Sequence, residues 1–152
     1  MDTYKTQPGW LKVATETFVV GSYTVVLFVL LQQVFYSSDW NLFLFVLGFL
    51  KHLFGYLLGI QKFYCRYGYA CQNIKPKNKQ NIKNNVDYVL EKTVESILEG
   101  IAFVVVGNSV LLSTKINKIY VVFATGCLLH IMGEISGVHK FYCENGCSSS
   151  RR

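Results

Sequence analysis

The chain has 152 residues, of which 51% are apolar, 15% aromatic and only 16% charged. That length suits about one domain, and so apolar a composition excludes general disorder outside the middle of the chain. Fifteen Lys and Arg against nine Asp and Glu give +6; in a soluble protein this would hint at nucleic acid or anionic partners, but here the placement of the charge says more than its sum.

The apolar residues gather into four blocks. They are "TFVVGSYTVVLFVLLQQVFY" (17–36), "NLFLFVLGFLKHLFGYLLGI" (41–60), "ILEGIAFVVVGNSVLLS" (97–113) and "IYVVFATGCLLHIMGEISGV" (119–138). Each approaches the ~20 residues that cross a bilayer core of about 30 Å as a helix. A soluble four-helix bundle would need a polar stripe along every helix, and the first block has none. Backbone groups in lipid must be satisfied internally, so the blocks are predicted to be transmembrane helices. The first lacks the basic lead, short apolar core and small-residue cleavage site of a secretory signal, and is expected to stay in the mature protein.

Connections follow in chain order. "SSDW" (37–40) and "TKINK" (114–118) read as tight turns that make two helical hairpins. Between the hairpins, "QNIKPKNKQNIKNN" (72–85) is polar and Lys- and Asn-rich, a solvated linker. "VDYVLEKTVESILEG" (86–100) has helical spacing and reads as an amphipathic surface lead-in to the third crossing. The organisation expected is residues 1–71, a basic linker and lead-in at 72–93, and residues 94–152. Four crossings put both termini and the linker on one side, with Lys62, Arg66, Lys75, Lys77, Lys79, Lys83 and Lys140 among its basic residues. The opposite turns hold only Lys115 and Lys118. The excess of Lys and Arg places the basic side in the cytosol.

The two outer regions are copies. Aligning Gln61 with His139, an offset of 78, matches Gly48, His52, Gly55, Gly59, Lys62, Phe63, Tyr64 and Cys65 with Gly126, His130, Gly133, Gly137, Lys140, Phe141, Tyr142 and Cys143. One residue out of that register, "ETFVVG" (16–21) resembles "ESILEG" (95–100). The chain therefore reads as a duplicated unit of helix, turn, helix and Lys-Phe-Tyr-Cys. The six matched glycines share a helix face and are expected to let the second and fourth crossings pack closely at a pseudo-twofold axis along the membrane normal.

That packing would gather Lys51, His52, Tyr56, Glu99, His130 and Glu134 into one intramembrane polar cluster. Ionisable groups at such depth carry a functional hypothesis by default. A histidine pair with a carboxylate could relay protons or gate a small pore; the structural alternative is a clamp that fixes helix register. Lys51 is expected to pair with Glu134 or Glu99, or to reach for an interface. Cys65 and Cys71, and Cys143 and Cys147, have neither the spacing of a thioredoxin-like centre nor that of most zinc sites. They could close two local loops, bridge the repeats, hold a structural zinc as four thiolates, or stay as free thiols. A cytosolic side would keep them reduced. Cys127 reads as a packing residue. No phosphate-binding glycine loop, G-x-S-x-G or H-E-x-x-H is present, so an enzyme is not expected.

The stretch "GFLKHLFGYLLGIQKFYCRYGYAC" (48–71), with its sequel at 126–147, resembles small multi-pass membrane proteins of the nucleocytoplasmic large DNA viruses. The Asn- and Lys-rich linker is similar to sequences from AT-rich genomes. The resemblance implies a virion component of the internal membrane beneath the capsid. Such viruses carry their own thiol-oxidation pathway, which would permit disulfides on cytosol-facing segments. The leading expectation is a non-enzymatic scaffold without a cofactor. It would dock a capsid or other protein, anionic lipid or nucleic acid through its linker and cysteine loops, with self-association open. A proton or ion pathway and a membrane thiol-redox protein are the alternatives.

Overall fold

The computed structural model describes residues 9–35, 39–72, 74, 85–114, 116–145 and 147. The described residues form six α-helices: α1 (Gly9–Val34), α2 (Trp40–Leu57), α3 (Ile60–Tyr67), α4 (Asn85–Thr114), α5 (Lys118–Ile135) and α6 (Val138–Asn145). A single 3₁₀ turn, Tyr69–Cys71, follows α3, and no strand occurs among the described residues. Among the described residues four segments are long and apolar enough to span a membrane: Gly9–Val34, Trp40–Leu57, Val89–Thr114 and Lys118–Ile135. At 1.5 Å per residue they measure roughly 27 to 39 Å, which matches a bilayer core of about 30 Å.

The boundaries differ from expectation in two places. The first helix starts at Gly9 instead of near 17, and the lead-in at 86–93 is continuous with the third span as one 30-residue helix. The first extension carries Lys12 and Glu16, which meet Gln72 and His130, and the second carries Lys92, which pairs with Glu95 one turn further along the same helix. Lys75, Lys77, Lys79, Lys83 and Lys115 fall outside the described residues.

The protein is built with its apolar groups outward. Phe18, Val26, Leu30, Leu98, Ile101, Val105 and Leu128 are exposed around the spans. A continuous surface of this kind is a liability in water and ordinary in lipid. Inside, one end is filled by Phe28, Leu31, Phe43, Leu44, Leu47, Phe103 and Val122. Phe28 meets Phe43 edge-on at 5.4 Å, and Trp40 stacks on Phe43 at 6.0 Å. Asp39 Oδ1 accepts the Asn41 and Leu42 amides to cap α2, and Asn117 in the matching position accepts the Ile119 amide to cap α5. Each cap satisfies orphan N–H groups that the membrane would otherwise make costly.

Helix partners are exchanged between the halves. The closest neighbours are α2 with α4 and α1 with α5, followed by α4 with α5. Among the described residues α2 and α5 share no such face, so the expected packing of the second crossing against the fourth is overturned. The glycines explain why. A Cβ on Gly48 would stand 2.8 Å from the Glu99 carbonyl and the Phe103 ring, and one on Gly126 would stand 2.6 Å from Thr24 Oγ1. Gly100 and Gly21 make the reciprocal approaches, to Phe45 and to Phe123 with Cys127. Close approach therefore joins the second helix of each half to the first helix of the other.

The other matched glycines do not pack helices together. Gly55 faces open space, and Gly133 lies beneath the His139 ring. Gly59 and Gly137 adopt φ of 73° and 78°, the left-handed region where an added Cβ is strained. Leu58 N–H to Phe54 O and Ser136 N–H to Met132 O close the two long helices in the same way. Each glycine then turns the chain into a short helix, α3 or α6.

A substitution pair tests this division. Gly48→Leu is expected to lower stability in micelles by about 1–3 kcal/mol through overpacking. Gly55→Ala should be neutral or stabilise by up to ~1 kcal/mol, because its site is open and alanine favours helix. Denaturation by sodium dodecyl sulfate, followed by circular dichroism, measures both.

Candidate functional site: a cross-clasped polar layer beneath a disulfide cap

The polar residues of the bundle collect at the end where α2 and α5 finish and α1 begins. Lys51 on α2 donates to Glu99 Oε1 on α4 at 2.6 Å, and its ammonium also lies 5.3 Å from the Phe103 ring centre. This is one of the partners the sequence offered. One position along, His52 Nε2 lies 3.2 Å from Glu95 Oε2, also on α4. Lys92, one helical turn before Glu95, adds its ammonium to the same carboxylate oxygen at 2.7 Å and lies 5.5 Å from the Tyr142 ring. Gln61 Nε2 reaches His52 Nε2 at 3.2 Å, and Tyr142 donates to Gln61 Oε1 at 3.0 Å.

The second half repeats the arrangement with its own chemistry. His130 on α5 faces Glu16 on α1, with Nε2 and Oε2 3.6 Å apart. Glu134 Oε1 accepts from Tyr64 at 2.6 Å and lies 2.7 Å from His139 Nδ1. The His130 and His139 rings are 4.8 Å apart between centroids. The polar residues expected from sequence therefore gather around two centres, one at His52 and one at His130, with the Glu99 carboxylate near enough to interact with both His52 and His139. The histidines do not approach one another at a central axis; each turns to a glutamate in the other half.

Glu16 and Glu95 were missed as partners, although a signal for them existed. They open the matched segments "ETFVVG" and "ESILEG", at equivalent places in the two copies. An acid repeated alongside a repeated histidine is a candidate pair. Tyr56 holds the place equivalent to Glu134 and is half-buried. Outside the spans, burial pushes the Tyr142 phenol up to about 12, assisted by the nearby Glu95 carboxylate and Tyr56. Tyr142 thus stays a neutral donor throughout the physiological range.

Above this layer the cysteines form a cap. Cys65 is bonded to Cys147 and Cys71 to Cys143, with Cα separations of 5.5 and 5.2 Å. Neither cysteine pair closes its own loop. The first cysteine of each half joins the second of the other, repeating the crossed pattern of the helices. All four are at most 2% exposed, packed with Tyr64, Ala70, Ile74 and Tyr142. In this bonded state they carry no thiolates with which to hold zinc. Cys127 is free and lies against Gly21 on the α1–α5 face. The start of α1 is tied to the cap as well: Lys12 donates to Gln72 at 2.9 Å, and Glu16 Oε1 accepts the Tyr69 amide at 2.8 Å. Of the basic residues described, Lys62, Arg66 and Lys140 are exposed around this end.

The arrangement can do two things chemically. It neutralises charge inside the membrane, and it joins the halves covalently. The chain matches no family model, no curated protein and no solved structure.

The pairings can be tested singly. Glu99→Gln strands Lys51 and is expected to cost about 3–5 kcal/mol, whereas the double change Lys51→Met with Glu99→Leu should recover most of that loss; denaturation in micelles measures the cycle. Cleavage after Arg66 and after Glu144 isolates each cysteine. Mass spectrometry without reduction should then find Cys65 with Cys147 and Cys71 with Cys143, and no Cys65–Cys71 link.

Proposed function

We propose that the protein is a non-enzymatic integral-membrane scaffold, with a rigid disulfide-capped end that docks a partner on its basic side. The observation that carries this reading is the direction of the polar contacts. His52–Glu95, His130–Glu16, Lys51–Glu99 and both disulfides each run from one half to the other. Their combined effect is to hold two duplicated hairpins in one register, which is the work of a clamp. A proton relay would call for the histidines to share one path, and each is instead held against a glutamate of the other half, which favours the clamp. Thiol exchange requires attack on an accessible sulfur, and sulfurs buried to 2% or less favour a staple over a redox centre.

Docking would draw on the exposed Lys62, Arg66 and Lys140 and, by sequence, on the linker lysines Lys75, Lys77, Lys79 and Lys83. Each such charge near a membrane attracts anionic lipid by about 1 kcal/mol. The same surface suits an acidic protein face or nucleic acid. Disulfides on a basic, cytosol-type side require local thiol oxidation, the setting that the resemblance to viral inner-membrane proteins implies, with a capsid-side protein as the partner.

Two measurements decide the matter. Proteoliposomes should pass protons no faster than empty vesicles, for the wild type and for His52→Ala with His130→Ala; flux that the double variant abolishes would establish the pathway instead. A photo-crosslinker at position 62 should capture a discrete protein in the native membrane. Neutralising the four linker lysines should remove that adduct, and an unchanged adduct would refute docking through the linker.

A further inference from the structure

The two polar clusters occupy equivalent places but are not chemically equal. In the first half, His52 Nε2 lies 3.2 Å from both Glu95 and Gln61, and Lys92 supplies a cation to Glu95. In the second half, the residue equivalent to Tyr56 is Glu134 and the residue equivalent to Gln61 is His139. Two imidazoles and a carboxylate therefore converge where the first half has one imidazole, a phenol and an amide. One ligand atom from each of His130, Glu134 and His139 lies within 4.8 Å of the other two.

We propose that His130, Glu134 and His139 bind a divalent first-row transition metal, with zinc the natural first probe. Two neutral imidazoles and a carboxylate form a nitrogen–oxygen donor set of the kind zinc and its neighbours take. His130 and Glu134 stand one turn apart on α5, on the same face of the helix. His139 comes from beyond the left-handed Gly137, which swings the chain so that the ring folds back over α5. The fold makes room for that ring: a Cβ on Gly133 would stand 2.6 Å from His139 Nε2, whereas the matching Gly55 has nothing within 4 Å. Glycine at 133 leaves space for the ring in the half that carries the extra histidine.

His130 supplies an independent reason. It is only 6% exposed, yet its Nε2 makes no hydrogen bond. The Glu16 oxygen beside it, at 3.6 Å, is beyond hydrogen-bonding reach. A buried polar nitrogen in this condition is costly, and a metal removes the cost. Metal–ligand distances of about 2.0–2.2 Å would need shifts of about 1 Å among the three side chains. The 2.7 Å contact between His139 and Glu134 would open while wider separations close. Glu134 and the neighbouring Glu16 together balance a 2+ charge. Tyr64, from the other half, donates to Glu134 at 2.6 Å and acts as the outer partner that orients a ligating carboxylate. The metal would lock the α5–α6 turn to the first half.

The test uses the full chain purified in detergent with its disulfides intact, stripped with chelator and then titrated with zinc or cobalt(II). About one equivalent should bind per chain. The cobalt spectrum should be that of nitrogen and oxygen ligands, without thiolate charge-transfer absorption. His52→Gln should bind as the wild type does, whereas Glu134→Gln and His139→Gln should bind about tenfold more weakly or worse. Helical circular dichroism and the disulfide map check that each variant folds; should the ligand variants not fold, wild-type stoichiometry and the cobalt spectrum decide alone. No zinc retained above a chelator-washed blank, a thiolate spectrum, or unaltered affinity in both folded ligand variants would overturn the proposal.

Discussion

A charged or hydrogen-bonding side chain within a bilayer must meet a partner, because lipid supplies none. In this chain the partners of Lys51 and His52 come from the other half, and His130 faces Glu16 of the other half at 3.6 Å. The rest of the structure depends on that exchange. To bring Glu95 and Glu99 to α2, α4 must lie along it; to bring Glu16 to α5, α1 must do the same. The glycines at 21, 48, 100 and 126 make both approaches close enough. A hairpin on its own would leave its histidine unpaired in the membrane, so neither half is a satisfactory unit by itself.

The cap extends the same logic beyond the membrane. Gly59 and Gly137 end the long helices with the same left-handed turn, and the short helices that follow carry Cys65 and Cys143 to equivalent positions. The crossing of disulfides mirrors the crossing of helices, since both follow from the same near-twofold arrangement. The departures from symmetry are concentrated at the ends of α2 and α5. There Glu134 and His139 stand in place of Tyr56 and Gln61, and one cluster acquires a donor set the other lacks.

Much of this was legible in the residues alone. Four apolar blocks revealed four spans, because a membrane imposes length and composition more strictly than water does. The duplication was visible from "QKFYC" and "HKFYC" and their upstream glycines. What the pattern did not reveal was which helices touch. A stripe of glycines says that something comes close without saying what, and the stripe from 48 to 59 mixes a packing site, an open site and a turn. The partners Glu16 and Glu95 were hidden for the same reason. They lie at the far ends of other helices, and only the crossed packing brings them to the histidines. The bonding of the cysteines was equally beyond reach, since unequal spacings within each pair permit local and crossed bonds alike.

The central claim is that the two halves are clasped crosswise, and cutting the chain tests it most directly. A site-specific protease site placed between residues 75 and 84 allows the intact, detergent-solubilised protein to be cleaved once, between the halves. Without reductant the cleaved protein should migrate as one covalent species on a denaturing gel and separate into two fragments when reduced. Before denaturation, the reduced fragments should still elute together in mild detergent, held by the α1–α5 and α2–α4 faces. Fragments that separate without reductant, or that elute apart in mild detergent once reduced, would contradict the account.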